Sequence, residues 1–596
     1  MNIQERIAAL RQMMRAHKID AYIIPSADNH QSEYVGEHFK CRAFLSGFTG
    51  SAGDIIVTQT SAGLWSDARY FLQAESQLEN TGITLYKMGE PNVPTMEDFL
   101  TNALPMHGVL GFDGRVIAMQ KGQNLAKTLA SKQIDMQHTH DFIDTIWSER
   151  PPLSKEPAFS LDEKYTGEST HAKLTRIRLA MKEIGATTHI ISSLDDICWI
   201  LNMRGNDIEY SPLILSYLII RENCVDLFID EEKLDSHAKE TLTKCNFTFH
   251  PYNNIYKVVK TFTDMETILI DPQKTNYAIY KNFSENVKII EKQNPSILFK
   301  AIKNEIELQN IKNAHIQDGV AVTKFMYWLK TTIGKEKITE CSATKKLESF
   351  RRNSKSYLGQ SFSPICGYKE HAAIVHYCAT PETDKVLEPA GLFLTDTGGN
   401  YYEGSTDITR THVLGALTNE ERLHFTAVAK SNLNLANARF LYGCSGCNLD
   451  ILARQPLWAL GLDYKHGTGH GVGYLLSIHE GPASLRWQLP PDGMPQVLES
   501  GMVLTNEPAL YVSNSHGVRT ENEMIVRTDK ANTYGQFLYF ETITYVPIDL
   551  DGINPSLMNQ DEKNLLNNYH KLVYSTIAPH LSKDEKAWLQ AYTKEI

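Results

Sequence analysis

The 596-residue sequence predicts two related α/β domains followed by an α+β domain. Three observations carry that expectation. The first is an internal repeat. LRQMMRAHKIDAYIIPSADN (residues 10–29) lies without a gap over IRLAMKEIGATTHIISSLDD (residues 177–196), at an offset of 167. Met14 matches Met181, Ile23 and Ile24 match Ile190 and Ile191, and Asp28 matches Asp195, so helix, turn and strand recur in the same order. The second is a break: Pro151, Pro152 and Pro157 open a polar stretch that runs to Ser169 and reads as a linker. The third is a change of pattern near Lys300, where AIKNEIELQNIKNAHIQDGVAVTKFMYWLK sets a long helical period ahead of strand-like runs. The boundaries drawn are 1–155, 156–299 and 300–596. A chain of this length exceeds what a single core supports.

Each element follows from local pattern. Ile3, Ile7, Leu10 and Met14 mark one face of a first helix, and Ala21-Tyr22-Ile23-Ile24 reads as a strand ended by Pro25. FLSGFTGSAGDIIVT (residues 44–58) is a glycine-punctuated turn entering a β-rich run, and LWSDARYFLQAE (residues 64–75) passes from strand to helix with Asp67 and Arg69 at the junction. Read alone, Arg69 is a salt-bridge partner of its own domain. The second unit continues through ICWILNMRGNDIEYSPLILSYLII, read as an apolar strand region around Arg204 and Asp207, to a late strand at residues 268–271. After last strands near Val546, residues 556–596 return to helical spacing through Leu565, Tyr569, Leu572 and Trp588.

Composition excludes several classes. Fifty-nine basic and 70 acidic residues give a formal charge of −11, which argues against nucleic acid or an anionic membrane as partner. No apolar run approaches the roughly 18 residues that span a bilayer, and the amphipathic first 20 residues lack a signal peptide's apolar centre. Nine scattered cysteines fit free thiols in a reducing cytoplasm, and Cys444-Ser445-Gly446-Cys447, with no second pair nearby, reads as a loop with incidental thiols.

The third domain carries the chemistry. LTDTGGNYYEGSTDITR (residues 394–410) predicts two strands around a Gly-rich connection, bearing Asp396 and Asp407. Taken alone it is equally a turn with two solvated aspartates. HAAIVHYCATPE places His376 at the end of a short apolar strand, and HGTGHGVGYLLSIHEGP supplies His466, His470 and His479. GTGHGVG fits neither GxGxxG nor the Walker spacing, which excludes a phosphate loop. NEPALYVSNSHGVRTENEMIV sets Glu507 and Glu521 on either side of a turn centred on Asn514, nearly opposite one another in a hairpin. Four carboxylates and an imidazole suit hard or borderline divalent ions, manganese foremost with cobalt, zinc or iron as alternatives, and the charge balances two of them.

The order TDTG, TDITRTH, HGTGHGVG, NEP and RTENE resembles that of the pita-bread metallopeptidases. With FLSGFTGSAG, SDARYFLQA, ICWILNMRGNDIEYSP and NAHIQDGVA, nearly the whole chain resembles three-domain aminopeptidase P, the Xaa-Pro aminopeptidases. The resemblance implies a pita-bread (creatinase/methionine aminopeptidase-like) third domain. It implies one metal held by Asp396 and Asp407, a second held by Asp407, His470 and Glu507, and Glu521 bridging both. It places His376 and His479 as substrate-orienting groups, His466 beside the cleft, and Arg69 reaching towards substrate, and it implies a homodimer. Ala509-Leu510-Tyr511 and Arg519-Thr520-Glu521-Asn522 depart from the usual Gly-Tyr-Tyr and RIEN, without touching a ligand.

The activity this implies is removal of the N-terminal residue from peptides with proline second. Two bridged cations lower the pKa of a shared water, and the resulting hydroxide attacks the first residue's carbonyl, with Glu507 handling the proton. Prolidase, which takes only dipeptides, is the nearest alternative, and the extra N-terminal domain and Arg69 disfavour it. Methionine aminopeptidase is too small for this chain. An inactive pita-bread peptide-binding module would have lost ligands, and all five positions are intact.

Overall fold

The computed structural model describes residues 1–490 and 493–596. The described residues divide into two compact units, Met1–Leu161 with Glu168–Ser296, and Asp162–Gly167 with Ile297–Ile596.

The first unit holds the repeat. Helix α1 (Ile3–Ala16) is closed by a capping box between Asn2 and Glu5 and buries Ile7, Leu10 and Met14. It leads into β1 (Ala21–Ile24), followed by β2 (Asp54–Thr58), β3 (Ala62–Ser66), β4 (Thr84–Lys87), β5 (Val109–Phe112) and β6 (Asp135–Gln137), in the sheet order β4-β3-β2-β1-β5-β6. Helix α2 (Thr170–Ile184) leads likewise into β7 (Thr188–Ile191), with β8 (Tyr217–Arg221), β9 (Val225–Phe228), β10 (Phe247–His250), β11 (Thr267–Ile270) and β12 (Lys288–Glu291) in the order β10-β9-β8-β7-β11-β12. The two orders coincide strand for strand. β1 pairs antiparallel with β2 and parallel with β5, as β7 does with β8 and β11. The start of β7 is displaced from that of β1 by the 167 residues of the sequence repeat.

One expectation in this unit is corrected. The run read as strand around Arg204 opens with helix α3 (Leu194–Leu201), ended by Asn202 in the left-handed conformation. Leu194, Ile197, Cys198, Trp199, Ile200 and Leu201 are all buried, and a helix covered on most faces carries the same unbroken apolar run as a central strand. Arg204 follows on the two-residue strand Met203–Arg204, where its guanidinium caps the Cys198 carbonyl, and Asp207 forms a buried pair with Lys233.

The second unit opens on α4 (Glu305–Thr332), capped by Asn304 and Glu307, and α5 (Glu340–Arg351). Its strands are all antiparallel. β13 (Ile365–Tyr368), β14 (Leu392–Thr397) and β15 (Ile408–Val413) form a three-stranded sheet in that order. Helix α6 (Asn419–Ala436) crosses to a six-stranded sheet made of β16 (Arg439–Leu441), β17 (Gly469–Val472), β18 (His479–Leu485), β19 (Val503–Asn506), β22 (Asn522–Asn532) and β23 (Gly535–Thr542), ordered β16-β23-β22-β19-β17-β18. The hairpin β20 (Ala509–Val512) and β21 (His516–Arg519) stands between β19 and β22. The last strand thus ends before Val546, and α7 (Gln560–Ile577) with α8 (Lys583–Tyr592) closes the chain, burying Leu566, Val573 and Leu589 against Phe425 and Val428 of α6. Of the tail residues that set the spacing, Tyr569 is buried and Leu572 is exposed.

Candidate metal centre

Hairpin register brings the two glutamates together. β20 pairs Val512 with His516 and Ala509 with Arg519, and β19 pairs with β22 through Asn506 and Asn522. Continuing either ladder sets Glu507 opposite Glu521, and the turn is centred on Asn514, whose φ of 56° is the left-handed value such a turn asks for. Asn432, buried on α6, locks both positions from behind by donating to the carbonyls of Asn506 and Thr520 at 2.7 and 3.2 Å. The Glu507 N–H donates to the Thr468 carbonyl and the Glu521 N–H to the Thr409 carbonyl.

The aspartates come from the neighbouring sheet. Asp396 on β14 lies opposite Thr409 of β15, with Asp407 just ahead of β15. The Asp407 backbone N–H donates to Glu523 at 2.8 Å, and the other oxygen of Glu523 faces buried His315 at 3.1 Å. At Gly398, between the aspartates, a Cβ would lie 1.9 Å from the Thr406 carbonyl, so only glycine lets the strands close there.

Ligand-type atoms of Asp396, Asp407 and Glu521 all lie within 4.8 Å of one another, as do those of His470, Glu507 and Glu521. The two groups share Glu521. A third group joins Asp407, His470 and His479. His470 Nε2 stands 3.6 Å from Asp407 and 3.7 Å from Glu507. Those separations are long for hydrogen bonds and near the roughly 3.0–3.4 Å between neighbouring ligands of one ion. His470 Nδ1 is 2.8 Å from the Gly471 carbonyl, which can only accept, so this nitrogen carries the proton and Nε2 presents its lone pair.

Electrostatics makes the same demand. Burial, then the charges of Asp396, Glu507 and Glu523, pushes the Asp407 carboxyl well above its ordinary range. Burial and then Asp407 do the same to Glu521, partly offset by the hydroxyl of Thr409 at 2.7 Å. Burial raises Glu507 as well, opposed by His470 and Arg519. Buried like charges at this spacing cannot all ionise without a cation. Arg519, which pairs with Asp396 at 2.6 Å, supplies one positive charge, and the second oxygen of Asp396 is buried with no hydrogen-bond partner. Residues of these types, with an orphaned carboxylate oxygen among them, fit a pair of divalent ions.

The other sequence-predicted residues fall as follows. His479 opens β18 with its ring centroid 4.3 Å from that of His470. His466 is buried. Burial, then Arg519, lowers its pKa to about 4, so it is neutral, and it accepts from Tyr511 at 3.0 Å. His376 stands on a turn after the short 3-10 segment Lys369–Ala373, not at a strand end as its apolar neighbours suggest. The strand register there belongs to β13, which ends at Tyr368. Arg69, in the first unit, donates through Nε and Nη2 to the two oxygens of Asp67 at 2.8 and 2.9 Å. Cys444 and Cys447 are free thiols. Arg519, Tyr511 and Asn432 were not singled out from sequence as site residues. Arg519 had a signal, an arginine two positions before Glu521 in a hairpin of acids, whereas nothing local marks Asn432.

Comparison with known proteins then decides the family. The chain is 37% identical over 617 residues to Xaa-Pro aminopeptidase 1 of Dictyostelium discoideum, covering 100% of this chain and 97% of that one. The chain belongs to the Xaa-Pro aminopeptidases. Metallopeptidase family M24 matches residues 309–528, the C-terminal region of that peptidase family matches 536–596, and the creatinase/prolidase N-terminal domain matches twice, at 6–146 and 149–307. The solved X-prolyl aminopeptidase from Caenorhabditis elegans, described as a cytosolic enzyme with a di-nuclear active site, superposes with a TM-score of 0.95 at 34% identity, covering 100% of both chains. A Xaa-Pro dipeptidase from Bacillus anthracis covers 64% of this chain at 23% identity and a TM-score of 0.52, a likeness of fold alone. The chain is a metallopeptidase of the aminopeptidase P type, with creatinase-type α/β domains ahead of a pita-bread domain, and the prolidase alternative is not favoured.

Proposed function

We propose that the chain removes the first residue from peptides with proline second, at a centre holding two divalent ions, most simply manganese. The observation that carries the reading is the pair of ligand groups meeting at Glu521: Asp396, Asp407 and Glu521 on one side, and His470, Glu507 and Glu521 on the other. Asp407 and Glu521 would contribute to holding both ions. Bound there, the two ions would supply a hydroxide near neutral pH and polarise a carbonyl. Arg519 and Thr409 fix the carboxylates of Asp396 and Glu521. Glu507 holds and returns the proton that moves from the nucleophile to the leaving nitrogen. His376 and His479 orient the peptide and donate to the developing oxyanion, with His466, held by Tyr511 and the Gly467 carbonyl, at the cleft wall. The bond to proline carries no N–H, so recognition rests on the shape of the ring.

Arg69 serves substrates longer than dipeptides, as an oriented guanidinium suited to peptide or carboxylate oxygens. The chains pair as a homodimer, for which the exposed aromatic pair Trp458 and Trp487, with ring centroids 6.4 Å apart, offers an apolar face. Sedimentation of wild type as a monomer contradicts that pairing. Free cysteines and the cytosolic description of the Caenorhabditis elegans relative support a cytoplasmic enzyme, and the formal charge of −11 speaks against nucleic-acid or anionic-membrane partners. The deciding assay compares X-Pro-Y with X-Ala-Y peptides on metal-loaded protein. The reading requires release of X from the first only, and equal cleavage of both refutes it.

A further inference from the structure

The segment that carries His376 leaves β13 at Tyr368 and returns to ordered pairing near Lys385. One side chain closes it. Glu340, the first residue of α5, is fully buried. Its Oε1 accepts from the Tyr368 N–H at 2.8 Å and from His371 Nδ1 at 2.9 Å. Its Oε2 accepts from the Tyr377 hydroxyl at 3.0 Å and from the Lys385 N–H at 3.1 Å. Two of these donors are backbone groups at the ends of the segment, and the other two flank His376 in sequence. Among the described residues, every side-chain hydrogen bond of Glu340 goes to this segment. An ionised carboxylate has about four lone-pair sites, so the four donors saturate it.

The surroundings leave the segment little other freedom. The Glu340 N–H donates to the Lys385 carbonyl and the Leu387 N–H to the Ile338 carbonyl, which zips the exit of the segment to the start of α5. On the opposite side the segment lies against β21. A Cβ at Gly517 would stand 1.8 Å from the Ala372 carbonyl, so this approach requires glycine. β21 ends at Arg519, two residues before Glu521. The His376 turn is thus held between a buried carboxylate and the strand that delivers the centre's own residues.

We infer that Glu340 is a positioning residue for the peptidase reaction, fixing His376 through His371, Tyr377 and both ends of the segment. The inference rests on the reading of His376 as a substrate-orienting group. In Glu340→Gln an amide NH2 replaces one acceptor oxygen and confronts two donors, so the segment loses hydrogen bonds while volume is kept. Displacing an orienting group by about 1 Å costs up to roughly a hundredfold in rate.

The test is a double-mutant cycle on full-length, metal-loaded protein cleaving an X-Pro-Y tripeptide. Glu340→Gln lowers kcat roughly ten- to a hundredfold, leaves KM and bound metal unchanged, and costs nothing further when added to His376→Ala. A Gln variant with wild-type kcat, loss of a metal equivalent, or losses that multiply in the double variant overturns the inference. Should Glu340→Gln fail to fold, Tyr377→Phe, which removes one donor only, decides by the same cycle. A loss absorbed by His376→Ala upholds the inference, and an independent loss or none overturns it. If His376→Ala itself keeps wild-type kcat, the reading of His376 falls and this inference falls with it.

Discussion

Removing one carboxylate from the centre should separate metal binding from folding. Asp407 has two like-charged neighbours, with oxygens of Asp396 and Glu521 within 4.8 Å. Two ionised carboxylates at that distance repel by about 3.5 kcal/mol at an effective dielectric of about 20. Metal-stripped wild type therefore either carries that strain or keeps protons it would otherwise release. Asp407→Asn relieves it at nearly constant volume, so the stripped variant should be at least as stable as stripped wild type. Metal reverses the order. A site filled at a hundred times its dissociation constant contributes about 2.7 kcal/mol, and two such sites about 5 kcal/mol. At about 1.5 °C per kcal/mol for a unit the size of Ile297–Ile596, wild type should melt about 8 °C higher with metal. The Asn variant, which alters a ligand assigned to both ions, should show half that rise or less. Scanning calorimetry of stripped protein with and without manganese measures all four states. An Asn variant that gains as much from metal as wild type refutes the ligand assignment, and a stripped variant several kcal/mol below stripped wild type refutes the repulsion argument.

Alanine at His376 or His479 should lower kcat about a hundredfold with both metal equivalents retained; loss of an equivalent in His479→Ala would make it a ligand, as its grouping with Asp407 and His470 allows. Arg69→Ala should reduce kcat/KM for tripeptides and longer peptides while leaving metal content and folding intact. A variant that only melts earlier, with unchanged kinetics at a permissive temperature, assigns Arg69 to its pair with Asp67. In the first unit, burial lowers the pKa of His189 to about 4, so the folded chain refuses a proton that the unfolded chain takes up below about 6.5. Stability present above that pH should fall by about 3 kcal/mol as pH drops from 6.5 towards 4. The drop in melting temperature between pH 7 and pH 5 should shrink in His189→Gln, and an unchanged drop contradicts the argument.

Local pattern made part of this legible. The repeat offset aligned α1 and β1 with α2 and β7 because amphipathic period and strand length are short-range properties. Asn514 as the centre of a hairpin followed from turn chemistry, and symmetry about it put Glu507 across from Glu521. Buried helices were not legible in the same way. In α3 nearly every position is covered, so periodicity vanishes and the run around Trp199 reads as strand. The 3-10 turn ahead of His376 was missed because its shape depends on Glu340 and Gly517, one before it and one far beyond it in sequence. Asn432 was missed for the same reason, since it acts on Asn506 and Thr520, 74 and 88 positions away.

A two-ion centre requires that metal occupancy and activity depend on the same ligands. Titrating manganese into stripped protein, with bound metal counted by elemental analysis beside hydrolysis of an X-Pro-Y peptide, tests it most directly. Wild type should saturate at two equivalents per chain, with activity that rises with occupancy, and Glu521→Gln should lose both. Full turnover of the peptide by protein holding no metal, or two tightly bound equivalents in the Glu521→Gln variant, contradicts it.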